Sequence, residues 1–255
     1  MNSILLLGLA LACSLFWGRE AWAVSLNVLA AGATESTLRQ TVSTFEKESG
    51  HTVNLTYGAV GALRDKIVGG EPADLTIVTP VIIEQLQAKG LVRANTRVNL
   101  GRVGGGIAVR REASRPSVGT REELKQALLK AKEVYYADPA TATAGAYFLK
   151  VADQLGVGEQ VRKKGRTAAG GKEAMELMAK SDADAIGLTQ ISEILSVKAV
   201  VLVGPYPDDL QNMTTYTGIV LTRSPHLETA EAFLRFLMSP PVQAQFKQAG
   251  FEPLH

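Results

Sequence analysis

The sequence has 255 residues, 46% of them hydrophobic and 20% charged, with a formal net charge of +2. A chain of this length can bury a large core, either as one domain or as two lobes of about 100 residues each. The near balance of charge excludes the basic footprint of a nucleic-acid or acidic-membrane partner.

The chain opens on an apolar run, residues 4–17, followed by Arg19, Glu20 and the small-x-small triplet Ala21-Trp22-Ala23. This pattern predicts an export leader, residues 1–23, cut after Ala23 and too short to stay as a membrane span, which places the mature protein in the periplasm. The only cysteine, Cys13, lies inside the leader, behind an imperfect lipoprotein signal at Leu9-Ala10-Leu11-Ala12. The cut chain then carries no thiol, which excludes disulfides, thiolate metal sites and cysteine nucleophiles.

From Ser25 on, short apolar runs alternate with helix-period segments, the pattern of an α/β sheet protein. Residues 26–31 read as a strand; Thr34 can cap a helix carrying Leu38, Val42 and Phe45, which Gly50 ends. Strands follow at 53–57 and 75–78, with helices at 62–68 and 82–89. Residues 98–110 embed Gly101, Gly104, Gly105 and Gly106 in an apolar run where the chain can cross to a second lobe. There, helices are predicted at 122–132, 144–155 and 171–179, and strands at 134–137, 186–189 and 199–203. A Pro- and Asp-rich loop at 204–209 precedes a strand at 214–221 that returns to the first lobe. Two helices, 228–238 and 242–248, close the chain, separated by Pro240-Pro241 as a breaker. The lobes are accordingly expected to comprise residues 24–100 with 215–255, and residues 101–214.

Three small-residue turns stand between a strand and a helix start: Ala31-Gly32-Ala33-Thr34, Gly58-Ala59-Val60-Gly61 and Thr141-Ala142-Thr143-Ala144-Gly145. Free backbone amides and the helix dipole at such turns favour an anion. One such turn alone is more simply explained by tight helix–strand packing. Three in one chain, drawn from both expected lobes, point to a cleft site.

The segment 28–50 with its Phe45-Glu46-Lys47-Glu48-Ser49-Gly50 ending resembles the opening of the molybdate-binding protein family. So do Tyr57-Gly58-Ala59-Val60-Gly61 running on to Pro72-Ala73-Asp74-Leu75, Asp138-Pro139-Ala140, and residues 187–193. The resemblance covers nearly all of the mature chain. It implies a two-lobed, type 2 periplasmic-binding-protein fold with the ligand cleft between the lobes, and capture of a small anion for an ABC-type permease. It also implies a tetrahedral oxyanion held by two serine hydroxyls and a tyrosine, but these positions fall here on Ala33, Val60 and Gln190. A molybdate site as that family builds it is therefore not expected. The Gly187-x-x-Gln190-x-Ser192-Glu193, Met213-Thr214-x-Tyr216 and Arg97-Val98-x-Leu100-Gly101 patterns resemble the periplasmic aconitate isomerases on this same fold, which makes cis–trans isomerisation of aconitate the alternative function.

Ligand contacts are expected from Ala33, Thr34, Val60, Gly61, Arg64, Thr143, Ala144, Gly145, Gln190 and Tyr216, with Ser36 and Tyr147 nearby. Each has a plainer explanation: Thr34 as a helix cap, Arg64 on a solvated face, Tyr147 and Tyr216 as core aromatics. If protons are moved, Glu35 and Tyr216 are the candidates. His51, His226 and His255 do not stand at metal-ligand spacing, so no metal or cofactor is expected. Gly170-Gly171-Lys172 lacks the hydroxyl residue and earlier glycine of a phosphate loop and reads as a helix start. The protein is expected to act as a monomer.

Overall fold

The computed structural model describes residues 23–254, so most of the expected leader, Cys13 included, lies outside the described residues. The first lobe runs β1 (Ser25–Ala31), a 3-10 turn (Gly32–Thr34), α1 (Glu35–Ser49), β2 (Thr52–Gly58), α2 (Val60–Val68), β3 (Leu75–Val78), α3 (Pro80–Ala88) and β4 (Val98–Val103). Gly50 ends α1 in the left-handed conformation, φ 72°, and its amide donates to the Glu46 carbonyl.

The chain crosses at Gly104 into β5 (Gly105–Arg110) of the second lobe, followed by α4 (Arg121–Lys130), β6 (Glu133–Ala137), α5 (Thr143–Gln154), α6 (Gly158–Lys164) and β7 (Gly165–Ala168). Then come α7 (Gly171–Ala179), β8 (Ala185–Gln190), α8 (Ile191–Ser196) and β9 (Val200–Pro205). It returns through residues 206–213 to β10 (Thr214–Val220), α9 (Leu227–Leu237) and α10 (Pro240–Gln248) of the first lobe.

Each lobe is built on a five-stranded mixed sheet, in the orders β2-β1-β3-β10-β4 and β7-β6-β8-β5-β9. In the first, β1 pairs in parallel with β2 and β3 while β10 runs antiparallel between β3 and β4; in the second, β6 pairs in parallel with β7 and β8 while β5 runs antiparallel between β8 and β9. Parallel strands need helical crossovers that cover both faces, and the cores show this. Leu26, Leu38, Ile77, Leu86 and Phe233 lie in one cluster in the first lobe. In the second lobe, consecutive residues of β5 enter opposite clusters, Ile107 with Phe148 and Leu188, and Ala108 with Met175 and Met178.

Four elements differ from the sequence reading. Pro240 and Pro241 do not merely break the chain: they occupy the first turn of α10, where proline lacks only an amide that no helix would use. The pair α6 and β7 fills a stretch to which the sequence assigned no element, and α8 follows β8 with no intervening loop.

Candidate functional site

The carboxyl ends of the parallel strands point toward the junction of the lobes, where open α/β sheets leave a crevice. A cavity of about 130 Å³ lies there, lined from the first lobe by Ala31–Ala33, residues 57–60 and Tyr216, and from the second by Ala137, residues 142–144 and 169–171, Glu173, Gln190 and Glu193. One water needs roughly 10–15 Å³ of such space, so the cavity suits a small polyatomic ligand better than a bare ion.

Its walls are mostly backbone. The helices α2, α5 and α7 start at the cavity from Ala59, Ala142 and Gly170, and none of the three has a side-chain cap. No side chain therefore closes these helix starts, although the Gly61 amide of α2 bonds the Thr141 carbonyl and the Gly171 amide of α7 bonds Glu193. Away from the cleft, α4 is closed by a full capping box between Thr120 and Glu123.

Glycines let these walls close. A Cβ on Gly171 would sit 1.9 Å from Thr189 Oγ1 and 2.0 Å from Glu193 Oε2; on Gly61 it would sit 2.8 Å from the Thr141 carbonyl oxygen of the other lobe. Gly145 lies against β6, where a Cβ would meet the Ala137 carbonyl oxygen at 2.0 Å.

The expected site residues divide into two groups. Ala33, Val60, Thr143, Ala144, Gln190 and Tyr216 line the cavity. Thr34, Gly61, Arg64 and Gly145 do not. Thr34 is fully buried and its hydroxyl donates to the Ala31 carbonyl at 2.8 Å, so it closes the 3-10 turn and does not cap α1. The Gly61 amide is spent on the Thr141 carbonyl at 3.0 Å, a bond between the lobes. Arg64 faces outward, paired with Asp65 at 2.8 Å and bonded to Gln85 at 3.2 Å. Tyr147 donates to the Leu210 carbonyl at 3.0 Å and serves the core.

Glu35 also stands apart from the cavity. Its carboxylate accepts from Arg39 at 2.7 Å and from Lys172 of the second lobe at 2.8 Å. Burial alone would raise its pKa, yet the hydrogen bonds from Lys172 and Arg39 outweigh burial and hold it below the usual carboxylate range. It is a fixed anion joining the lobes. Gln190 is drawn into the crossing between the lobes: its amide nitrogen faces the carbonyls of Val103 (3.2 Å) and Gly104 (3.0 Å), and its oxygen accepts from Thr214 Oγ1 (3.0 Å). Burial pushes the Tyr216 phenol up, so it stays neutral near neutral pH.

Several lining residues had no assigned role in the sequence. Tyr57 lines the cavity, carries the Arg39 guanidinium 5.0 Å from its ring centre, and has a buried hydroxyl with no partner among the described residues. Glu193 is only 7% exposed. Its Oε2 accepts from the Thr189 hydroxyl and from the Gln190 amide at 3.3 Å. Burial pushes its carboxyl up to about 7, hydrogen bonds from Thr189 and the Gln190 amide opposing. Its position three residues after Gln190 at a strand-to-helix turn is the spacing of an N3 acid, and in the sequence it stood only as the last residue of the Gly187-x-x-Gln190-x-Ser192-Glu193 pattern. Among the described residues there is no group of three or more His, Cys, Asp or Glu side chains able to hold a metal ion.

The sequence profile of the family described as bacterial extracellular solute-binding protein matches residues 26–252. The chain belongs to this family. It is 29% identical over 238 residues to an aconitate isomerase of a Pseudomonas species, covering 90% of this chain and 88% of that one. It is 23% identical over 228 residues to the molybdate-binding protein ModA of Escherichia coli, covering 89% and 88%. Among solved structures, the periplasmic molybdate-binding protein of Azotobacter vinelandii superposes with a TM-score of 0.76 at 20% identity, over 90% of this chain and all (100%) of that one. The sulfate-binding protein SubI of Mycobacterium tuberculosis superposes with a TM-score of 0.75 at 20% identity, over 91% and 87%. These likenesses establish the two-lobed α/β fold of binding proteins. No described helix is long and apolar enough to cross a membrane.

Proposed function

We propose that this solute-binding protein works in the periplasm as a monomer, captures one small anion in the cleft between its lobes, and delivers it to an inner-membrane ABC permease. The ligand is a carboxylate or a compact oxyanion. The observation that carries this reading is the cavity itself, about 130 Å³ at the lobe junction and walled by uncapped helix starts from both lobes. Helix starts of this kind hold anions through amides and the dipole. Ala33, Val60, Thr143 and Ala144 would offer backbone amides and the Thr143 hydroxyl; Thr34, Gly61, Arg64 and Gly145 would serve the shape of the site.

The relatives named for molybdate support an anion as the class of ligand, but not molybdate itself. Ala33, Val60 and Gln190 bring no hydroxyl to the cavity they line, and each missing charge-assisted hydrogen bond costs about 1–3 kcal/mol. A thermal-shift screen of molybdate, tungstate, sulfate and di- and tricarboxylates tests this. A ligand at about 100 times its Kd stabilises by about 2.7 kcal/mol, or several degrees in Tm. A shift with a carboxylate or sulfate and none with molybdate is expected; no shift with any anion, or submicromolar molybdate binding, contradicts the reading.

A second reading, conversion of cis-aconitate to the trans isomer, draws support from the Pseudomonas relative and from Glu193. A carboxyl in the cavity with a pKa near 7 can remove one proton and return another near neutral pH. Glu193 fits that role better than Glu35, which lies outside the cavity, or Tyr216, which stays protonated. Proton NMR of cis-aconitate with the mature protein decides the matter. Conversion that scales with protein and falls by about 100-fold or more in E193Q supports isomerisation, whereas stoichiometric binding with the substrate unchanged removes it.

A further inference from the structure

The charged side chains lining the cavity are both acidic, Glu173 and Glu193; no Lys or Arg lines it. Glu173 is exposed and folds back along Gly170, within 2.4 Å of where a Cβ there would stand. Glu193 is buried, and its two oxygens differ. Oε2 is tied to Thr189 and to the Gln190 amide. The Gly171 amide also bonds the carboxyl, but no side chain among the described residues donates to Oε1, which faces Gly32 of the first lobe, 3.3 Å from the place a Cβ there would take. Around it stand backbone walls that donate hydrogen bonds to an anion. An ionised Glu193 would set a second negative charge against that anion from a buried position, where like charges in contact strongly disfavour one another.

We propose that Glu193 takes up one proton as the anion binds and donates it through Oε1 to the ligand, so that the cleft binds its anion together with a proton. This rests on the reading of the cleft as an anion site and assigns Glu193 as the residue that sets the charge state the site accepts. Oε2 keeps its present donors, so the arrangement needs no movement of Thr189 or of the α8 start. The groups packed around Glu193 do not supply a competing cation. From α7 come Glu173, whose charge raises the Glu193 pKa, and Lys172, held by Glu35 of α1 at 2.8 Å and near Glu176 at 3.7 Å. From β10 and β2 come the neutral phenols Tyr216 and Tyr57, both raised by burial. The strands β8 and β9 carry no titratable side chain, and β5 carries only Arg110, at the end remote from Gln190. The free carboxyl already sits at about 7; a bound anion pushes it further up, which couples affinity to pH.

The test is calorimetric titration with sulfate, fumarate and trans-aconitate, which carry no titrating proton between about pH 7 and about pH 9. Wild-type affinity should weaken by about tenfold per pH unit once the pH exceeds the free pKa, with close to one proton taken up per anion when buffers of different ionisation enthalpy are compared. E193Q, whose amide is a permanent donor of similar shape, should lose the slope and bind more tightly than wild type at pH 9, by about tenfold or more. Binding that is flat or tightens with rising pH overturns the proposal, as does an E193Q slope equal to that of wild type. Failure of all three anions at every pH contradicts the anion-site reading itself. Should E193Q not fold, the wild-type proton count alone decides: one supports the proposal and zero overturns it.

Discussion

At the scale of single residues, Glu193 has a cost that is measurable without any ligand. Its carboxyl titrates at about 7 in the folded protein against an ordinary value of 4.5, so the folded state holds the extra proton between these values. The unfolded state then binds fewer protons there, and stability falls as pH rises from about 4.5 to about 7 before levelling. Urea unfolding at about pH 5 and about pH 8 should show this loss in wild type and a smaller one in E193Q; equal losses contradict the assignment. The sequence showed Glu193 only as the last letter of a motif, because burial of a carboxylate is a property of packing. Arg64 illustrates the opposite error. Its distance along α2 was right for a ligand contact, but helical phase turns it outward to Asp65. Glu35 was attractive as an acid beside a small-residue turn, and only the fold reveals Lys172 arriving from the other lobe.

At the scale of elements, most strands and helices were legible because buried parallel strands read as continuous apolar runs and the helices between them keep a 3.6-residue period. The elements that were missed lack those signals. α6 carries Glu159, Gln160, Arg162, Lys163 and Lys164 around one fully buried Val161, and β7 is a four-residue edge strand with Arg166 and Thr167 exposed. Of the three glycine and alanine turns, two open directly onto α2 and α5, while the first is interrupted by a 3-10 turn; the start of α7 at Gly170-Gly171 adds a further wall to the cavity that its helix-start reading did not assign. Tight packing and ligand approach turn out to be divided among neighbouring residues: Gly145 serves α5 against β6, and Ala144 beside it lines the cavity. Gly145→Ala should therefore destabilise by about 1–3 kcal/mol or more, since a Cβ 2.0 Å from a backbone oxygen forces α5 off β6. A Tm unchanged within error contradicts this packing.

At the scale of the whole molecule, the two sheets share a plan, and the polar contacts between the lobes include the Glu35–Lys172 ion pair at 2.8 Å, the Gly61–Thr141 backbone bond at 3.0 Å and the Gln190–Thr214 bond at 3.0 Å. A ligand that bridges the lobes draws on this same closed arrangement, so contacts that favour closure raise affinity without touching the ligand. Lys172→Met removes the pair while Arg39 still neutralises Glu35; affinity should fall by about threefold to tenfold, and the free protein should scatter X-rays with a larger radius of gyration. Unchanged affinity and radius would mean that the pair does not govern closure. The central claim is that the cleft binds an anion on helix-start amides. The most direct measurement is calorimetric titration of wild type and Ala144→Asp with whichever anion shifts the Tm. Ala144 lies in the first turn of α5, where an acid suits the helix dipole, so folding is preserved while a fixed carboxylate occupies the anion's place. The account predicts one site per wild-type molecule and a loss of about 100-fold or more in Ala144→Asp, near 2.7 kcal/mol; equal affinity in the two proteins would place the anion somewhere other than this cleft.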